Sequence, residues 1–446
     1  MCAVWLISPP PTYAQQDAGQ RPLPPEPVQQ QAADDPAKES GPAPLPPPEK
    51  SMDLWSRSKL TGDWGSTRTR LEEAGIRVKV DLMNQVMVNM YGGQETENGH
   101  DTAGSYELDF YFDLEKLFSI RGATFWIRGK GTWGGDDSDF DREKVGGFFK
   151  TNQDADIEEP IFVDKWHWQQ FLFDKKIELR FGRQEPVKDL FDTSKVIGHE
   201  DHYFMNRALV RNATIPSNKG LAAYANWAVT DDLYVRAAVF DAQARDRQTN
   251  FNTAFHDEDW FRVYLEAGLT PEFDSQNGEL WGHYRAGAWY DPTKKRQFLD
   301  TSGGARDQRF ESGDCGFYFG FDQKIWKENG EPKDDQGLAV AGRWGVASGE
   351  VNTIEQFWAA AVQYIGILPD RDRDTIGVGI GQGILSDESR RVDPRADRET
   401  VYELYYSIVI SPWLTISPDF QYITNTGGDK DDPDTAVAGI RVRMNL

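Results

Sequence analysis

Thr435-Ala-Val-Ala-Gly-Ile-Arg-Val-Arg-Met-Asn-Leu446 closes this chain of 446 residues. Read as a strand, it sets Ala436, Ala438, Ile440, Val442, Met444 and Leu446 on one face and Val437, Gly439, Arg441, Arg443 and Asn445 on the other. Apolar groups on one side and cations on the other, repeating every second residue, suit a strand with hydrocarbon outside and water inside. A soluble sheet also alternates, so the weight lies in repetition along the chain.

The pattern recurs from Ile76 onward. Ile76, Val78, Val80, Leu82, Val86, Val88 and Met90 share a face opposite Arg77, Lys79, Asp81, Gln85 and Asn89, and Gly92-Gly93 then punctuates. Tyr106, Leu108, Phe110 and Phe112 alternate with Glu107, Asp109 and Asp113, and Ile177, Leu179 and Phe181 alternate with Glu178 and Arg180. Further copies run over 221–229, 233–239, 261–269, 317–321, 338–346, 376–384, 402–410 and 414–422. With about 10 residues per strand plus connections, the region predicts an all-β fold, a transmembrane antiparallel barrel of about 16 strands. Trp133, Trp166, Trp168, Trp227, Trp289, Trp344, Trp413 and Tyr422 stand near expected strand ends, where rings form interfacial girdles.

Bulk composition agrees. A mean hydropathy of -0.64 excludes helical spans only, because half of each barrel strand and all of its loops are polar. The longest nearly apolar stretch, 357–368, contains Gln363 and falls short of the roughly 18 to 20 residues a spanning helix needs. With 49 basic against 72 acidic residues, a formal charge of -23, the chain is not expected to bind nucleic acid. Cys2 lies in a segment expected to be removed, which leaves Cys315 without an internal disulfide partner.

Residues 1–14 read as a truncated signal peptide, with an apolar core at 3–7 and Thr12-Tyr13-Ala14 before Gln15, but no basic residue ahead of the core. Residues 15–50, with Pro-Pro-Glu-Pro at 24–27 and Pro-Leu-Pro-Pro-Pro at 44–48, read as a disordered Pro-rich linker and periplasmic spacer. Within 51–75, Leu54, Trp55, Leu60, Trp64 and Leu71 recur among Arg and Glu up to Gly75, predicting a short amphipathic helical segment at the periplasmic side. It either caps the mouth or braces the barrel. The barrel itself is expected over 76–446.

Signals for chemistry are few. His199-Glu200-Asp201-His202 is not the helical two-histidine zinc pattern and falls in an expected loop. Asp429, Asp431, Asp432 and Asp434 crowd a turn without the spacing of a calcium loop, so a solvated turn is expected. No Gly-x-Ser-x-Gly elbow occurs. No enzyme activity, metal or cofactor is therefore expected. Gly377, Gly379, Gly381 and Gly383 share one face of a strand and leave it free of side chains, which either widens a bore or admits the N-terminal segment or a loop.

The residues also carry a family likeness. Leu60-Thr-Gly-Asp-Trp-Gly65 with Arg68, Leu71 and Gly75-Ile76 resembles the opening signature of the carbohydrate-selective porins of the glucose-porin (OprB-like) family. Gly366-Ile-Leu-Pro-Asp-Arg-Asp372 with Thr375 resembles its late inter-strand segment. Glu403, Tyr405, Pro412-Trp413-Leu414, Pro418-Asp419, Gln421-Tyr422, Asn425 and Gly427-Gly428 resemble its closing hairpin. Ser66, Thr426 and Leu446 depart from the family's usual Gly, Pro and Phe.

The resemblance implies a 16-stranded channel in the Gram-negative outer membrane through which monosaccharides such as glucose diffuse into the periplasm, as a monomer or homotrimer. Such a protein meets outer-membrane lipid, lipopolysaccharide and the barrel assembly machinery. A neutral, polyhydroxylated solute calls for fixed donors and acceptors of both signs together with aromatic plates. Parity places Trp126, Arg128, Lys130, Arg180, Arg236, Arg262, Tyr264, Glu266, Trp281 and Arg285 on the inward face, and these are the candidate pore-lining residues. Most inward charges of any wide barrel only solvate its wall, so the list names a set. The rival readings are a general diffusion porin and a soluble all-β carbohydrate-binding or hydrolysing protein.

Overall fold

The structure, a computed structural model, describes residues 53–134, 138–152, 159–198, 202–245, 254, 261–297, 310–331 and 334–446. The calls on 1–14 and 15–50, and on 199–201, lie outside these.

One antiparallel sheet closes on itself. Its strands are β1 (Ile76–Tyr91), β2 (His100–Asp113), β3 (Ala123–Gly134), β4 (Glu159–Leu172), β5 (Ile177–Gln184), β6 (Gly220–Ala228), β7 (Leu233–Asp241), β8 (Phe261–Leu269), the two-residue β9 (Glu272–Phe273), β10 (Leu280–Arg296), β11 (Phe310–Lys327), β12 (Gly337–Ala347), β13 (Ile354–Ile365), β14 (Thr375–Leu385), β15 (Arg398–Ser411), β16 (Leu414–Thr424) and β17 (Thr435–Asn445). Each pairs with its chain neighbours, except that β8 and β9 both pair with β10. The ring closes where β17 pairs with β1, Asp81 opposite Asn445 and Val88 opposite Ala438. With β9 as an outlier, 16 strands form the barrel. Closure removes the edges along which an open sheet would aggregate.

Burial is inverted relative to a soluble sandwich. Leu179, Phe181, Val263, Leu265, Phe317, Phe319, Val378, Leu404 and Ile440 are exposed, whereas Lys79, Asp81, Asp109, Arg128, Glu266, Arg285 and Arg441 are buried. A sheet that hides its charges and shows its aliphatic groups is stable only in hydrocarbon. No helix is long and apolar enough to cross a membrane among the described residues.

The connections alternate in length. Both ends of the barrel domain, Ile76 and Asn445, lie at the rim whose turns include the two residues between β15 and β16; the opposite rim carries the connections between β3 and β4 and between β5 and β6. Trp289 corrects the girdle reading, because it points inward and is buried; Trp413 also departs, stacking on Trp55 with ring centroids 5.8 Å apart.

The segment before the barrel is a brace. Helix α1 (Thr67–Glu73) ends at Ala74 and Gly75, whose positive φ of 95° lets the chain reverse into β1. Arg68 is buried, lies 4.1 Å over the Trp64 ring, and donates to Gly62 O at 2.9 Å and to Leu446 O at 3.0 Å. Leu60 N donates to Asn445 O, and Trp413 Nε1 to Leu54 O, both at 2.9 Å. Arg68→Ala is expected to release this segment at a cost of about 1–3 kcal/mol, since buried acceptors lose their donor. Limited proteolysis should then cut between Asp53 and Gly75 while the barrel stays intact.

Candidate functional site

The inner surface holds a long inserted segment on one side and charged rows on the other. The segment joins β5 to β6 and is described over 185–198 and 202–219. Val187, Leu190, Phe191, Val196, Ile197, Phe204, Met205, Leu209 and Val210 are all buried inside the barrel. After the short α2 (Leu114–Phe118) between β2 and β3, the next helix, α3 (Arg207–Val210), starts at Asn206, whose side chain accepts from Ala208 N.

Successive strands fix the segment's backbone. Arg236 on β7 donates to Leu190 O at 3.0 Å, and Glu266 on β8 accepts Asp192 N at 2.8 Å. Arg285 on β10 donates to Asp192 at 3.0 Å and to Asp322 on β11 at 2.7 Å, and Asp322 accepts the Ser194 hydroxyl. Arg343 on β12 lies 3.5 Å from Asp192. Glu403 on β15 accepts from Met205 N and Asn206 N; Asn206 Nδ2 donates to Gln421 on β16 at 2.8 Å; Arg441 on β17 donates to Tyr203 O at 2.8 Å. The bonds from Arg236, Glu266, Glu403 and Arg441 satisfy main-chain groups that a buried loop would otherwise leave unpaired.

Between the anchors the contacts are apolar. Phe191 stacks on Tyr264 at 5.3 Å, and Phe204 meets Tyr405 edge-on at 4.8 Å. The glycine row on β14 is the floor for α3. A Cβ on Gly379 would stand 2.7 Å from Leu209 Cδ1, and one on Gly381 2.8 Å from Ala208 O. Of the alternatives left open by the sequence, the row admits a loop.

On β1 to β5 the inward side chains form cross-strand rows. Lys79, Asp109, Arg128 and Lys165 are direct partners on β1 to β4. Arg128 grips Asp109 through Nε at 2.8 Å and Nη2 at 2.9 Å, and reaches Glu107 at 2.7 Å. Lys130 lies 3.4 Å from Glu107, and Lys79 2.6 Å from Asp81. Lys165 pairs with Asp189 of the segment at 2.7 Å, and Arg211 with Glu185 at 2.6 Å. Burial alone would push the Glu185 carboxyl up, but Arg211, Lys188, Lys219 and Lys165 hold it well below the usual carboxylate range.

Asp81, Glu107 and Asp109 offer oxygens within 4.8 Å of one another, yet Lys79, Arg128, Lys130 and Arg443 are paired with them. Their charge is met by protein cations, leaving little attraction for a metal ion. The aspartates at 429–434 also have protein donors: Arg395 reaches Asp429 at 2.9 Å, and Asp434 accepts Tyr422 OH at 2.8 Å. His202 lies 2.8 Å from Arg443 Nη1.

All ten candidate residues point inward, in two surroundings. Trp126 and Arg180 are half-buried and Arg128 and Lys130 nearly buried among the charged rows, Arg180 being paired with Glu178. Arg262 pairs with Asp291 at 3.2 Å, and Lys195 lies 4.4 Å over Trp281. Tyr264, Glu266 and Arg285 are at most 1% exposed, beneath the inserted segment, and Arg236 anchors it. Asp192, Glu403 and Arg441, which hold the segment, are absent from the sequence list; inward parity alone does not say what folds over a residue.

Comparison with known proteins fits this architecture. A profile of the carbohydrate-selective porin, OprB family matches residues 97–446. Porin B of Pseudomonas aeruginosa is 22% identical over 427 residues, covering 86% of this chain and 90% of that protein. The putative porin QuiX of Acinetobacter baylyi is 24% identical over 437 residues, covering 88% and 95%. The high-pH structure of Pseudomonas putida OprB superposes with a TM-score of 0.76 at 20% identity, covering 89% of this chain and all of that one. A closed, inverted barrel with a segment folded into its lumen and a family match over most of its length leads to one conclusion: the chain belongs to the carbohydrate-selective porin, OprB family, and is an outer-membrane sugar porin.

Proposed function

We propose that the channel passes neutral monosaccharides such as glucose by passive diffusion, between the inserted segment and the inward faces of β1 to β5. The observation that carries this is the pairing of charge on those faces, where Arg128, Lys130 and Lys79 are matched by Asp109, Glu107 and Asp81. A wall of alternating fixed donors and acceptors exchanges hydrogen bonds with sugar hydroxyls without attracting ions of one sign. Trp126, Arg128, Lys130 and Arg180 are the proposed contacts along this path, and Arg262 and Trp281, at the starts of β8 and β10, the proposed contacts near its two ends. Arg236, Tyr264, Glu266 and Arg285 set the bore by holding the segment.

In this reading the rim with both barrel ends faces the periplasm, residues 51–75 brace it there, and residues 15–50 form a periplasmic arm. The apolar belt meets lipid and lipopolysaccharide after insertion by the assembly machinery. Liposome swelling tests the proposal: glucose should permeate faster than amino acids or salts of similar size, and Arg180→Ala should reduce that preference several-fold. Equal rates in the parent protein would leave a general diffusion porin.

A further inference from the structure

We propose that the inner wall carries an aromatic subsite for the apolar C–H surface of a pyranose ring, formed by Tyr111, Trp126 and His167 and bordered by Arg77. The inference deepens the sugar-channel reading and rests on it. These four residues are direct cross-strand partners on β1 to β4, Arg77 opposite Tyr111, Tyr111 opposite Trp126, and Trp126 opposite His167. They form one continuous row. The Arg77 guanidinium lies 4.2 Å over Tyr111; Tyr111 and Trp126 are 6.0 Å apart and stacked; Trp126 and His167 are 5.0 Å apart.

Burial and bonding leave this row available. All three rings are half-buried and Arg77 is exposed, in contrast to the fully covered Tyr264 and Tyr405 across the barrel. Trp126 Nε1 donates to Asp109 at 3.0 Å, which locks the indole and commits its polar atom to the wall; Arg128 at 5.3 Å and Lys165 at 5.9 Å border the ring, and the rest of its carbon surface is what remains to offer.

Polar rows flank the rings on both sides. Two residues along the strands toward one rim lie the ion pairs of Asp109, Arg128 and Lys165. Two residues toward the other, Thr124 donates to Gln169 at 3.0 Å and Gln169 to Glu178 at 2.8 Å. At a rise of about 3.4 Å per residue, each polar row stands roughly 7 Å from the rings. An apolar strip between two hydroxyl-binding strips complements a ring sugar, whose C–H surface is bordered by hydroxyls. An open-chain polyol has the hydroxyls but no rigid C–H surface, so the row should discriminate shape among solutes of equal polarity.

Proteoliposome swelling with glucose against sorbitol reads this directly. The full-length protein should pass glucose about threefold faster than sorbitol, from the contribution of one aromatic contact. Trp126→Ala and, independently, Tyr111→Leu should bring the ratio near one, and Trp126→Phe should restore it. Each variant is scored only if it keeps the gel shift between unheated and boiled samples. A ratio of one in the parent, or one unchanged in both variants, overturns the subsite. If glucose outruns glycine and sodium chloride but not sorbitol, the subsite fails and the sugar channel stands; if it outruns none of them, the sugar-channel reading itself has failed.

Discussion

Arg285→Ala should convert a narrow, quiet channel into a wide, noisy one. Its guanidinium has no exposed surface and bridges Asp192 of the inserted segment to Asp322 of the wall at 3.0 and 2.7 Å. Removing it leaves two buried carboxylates facing each other, with Arg343 near only one of them. Stranding buried charge in this way costs about 3–5 kcal/mol, more than a loop held on a pre-formed wall can absorb in place. The loss falls on the segment and not on the barrel, whose strands keep every ladder bond. Planar-bilayer recordings should therefore show a several-fold rise in conductance with added flicker, and swelling assays a weaker preference for sugar over salt. The boiled-versus-unheated gel shift should persist. Combining Arg285→Met with Asp322→Asn, which leaves Asp192 matched by Arg343, should quiet the channel again, because no uncompensated ion remains.

The second large effect has the opposite sign. Gly381→Val puts a branched side chain where even one carbon would lie 2.8 Å from Ala208 O and 2.9 Å from Ala208 Cβ. The obstacle is backbone on both sides, and the two backbones differ in freedom. Strand β14 is laddered to β13 and β15, whereas α3 is a single turn on the segment. The helix must yield, away from its wall and into the bore. Glucose flux should fall about tenfold or more, since a displacement of one side-chain width closes much of a sugar-sized gap. Val378→Ala, one position outward from the same glycine row and facing lipid, should leave flux unchanged. Unchanged flux in Gly381→Val would mean that the segment moves aside without entering the path.

What the sequence revealed follows from what sets its period. Hydrocarbon outside and water inside act on every strand alike, so parity placed residues such as Leu265 and Glu266 on opposite faces in the strands it marked, although β4 and β13 were not among them. The inserted segment obeys no such rule. Val187, Leu190, Phe191, Val196, Ile197, Phe204 and Met205 are buried by an irregular path with neither helical nor strand spacing, so the stretch reads only as a loop. Two signals hinted at it: a high apolar content for a connection, and a glycine row on β14 that needed something to lie against it. Because the segment covers part of the inner wall, parity also could not separate Arg180, half-buried and on the uncovered side, from Arg285, which is fully covered. Trp289 was misplaced for a related reason: its ring belongs to the packed lumen in the middle of β10, and only an expected strand end nearby suggested the girdle.

The brace at the rim ties residue 68 to residue 446, a separation of 378 positions. Contacts of such span form late, because the intervening chain must first be ordered. The segment that leads into the barrel therefore cannot dock until the last strand has arrived.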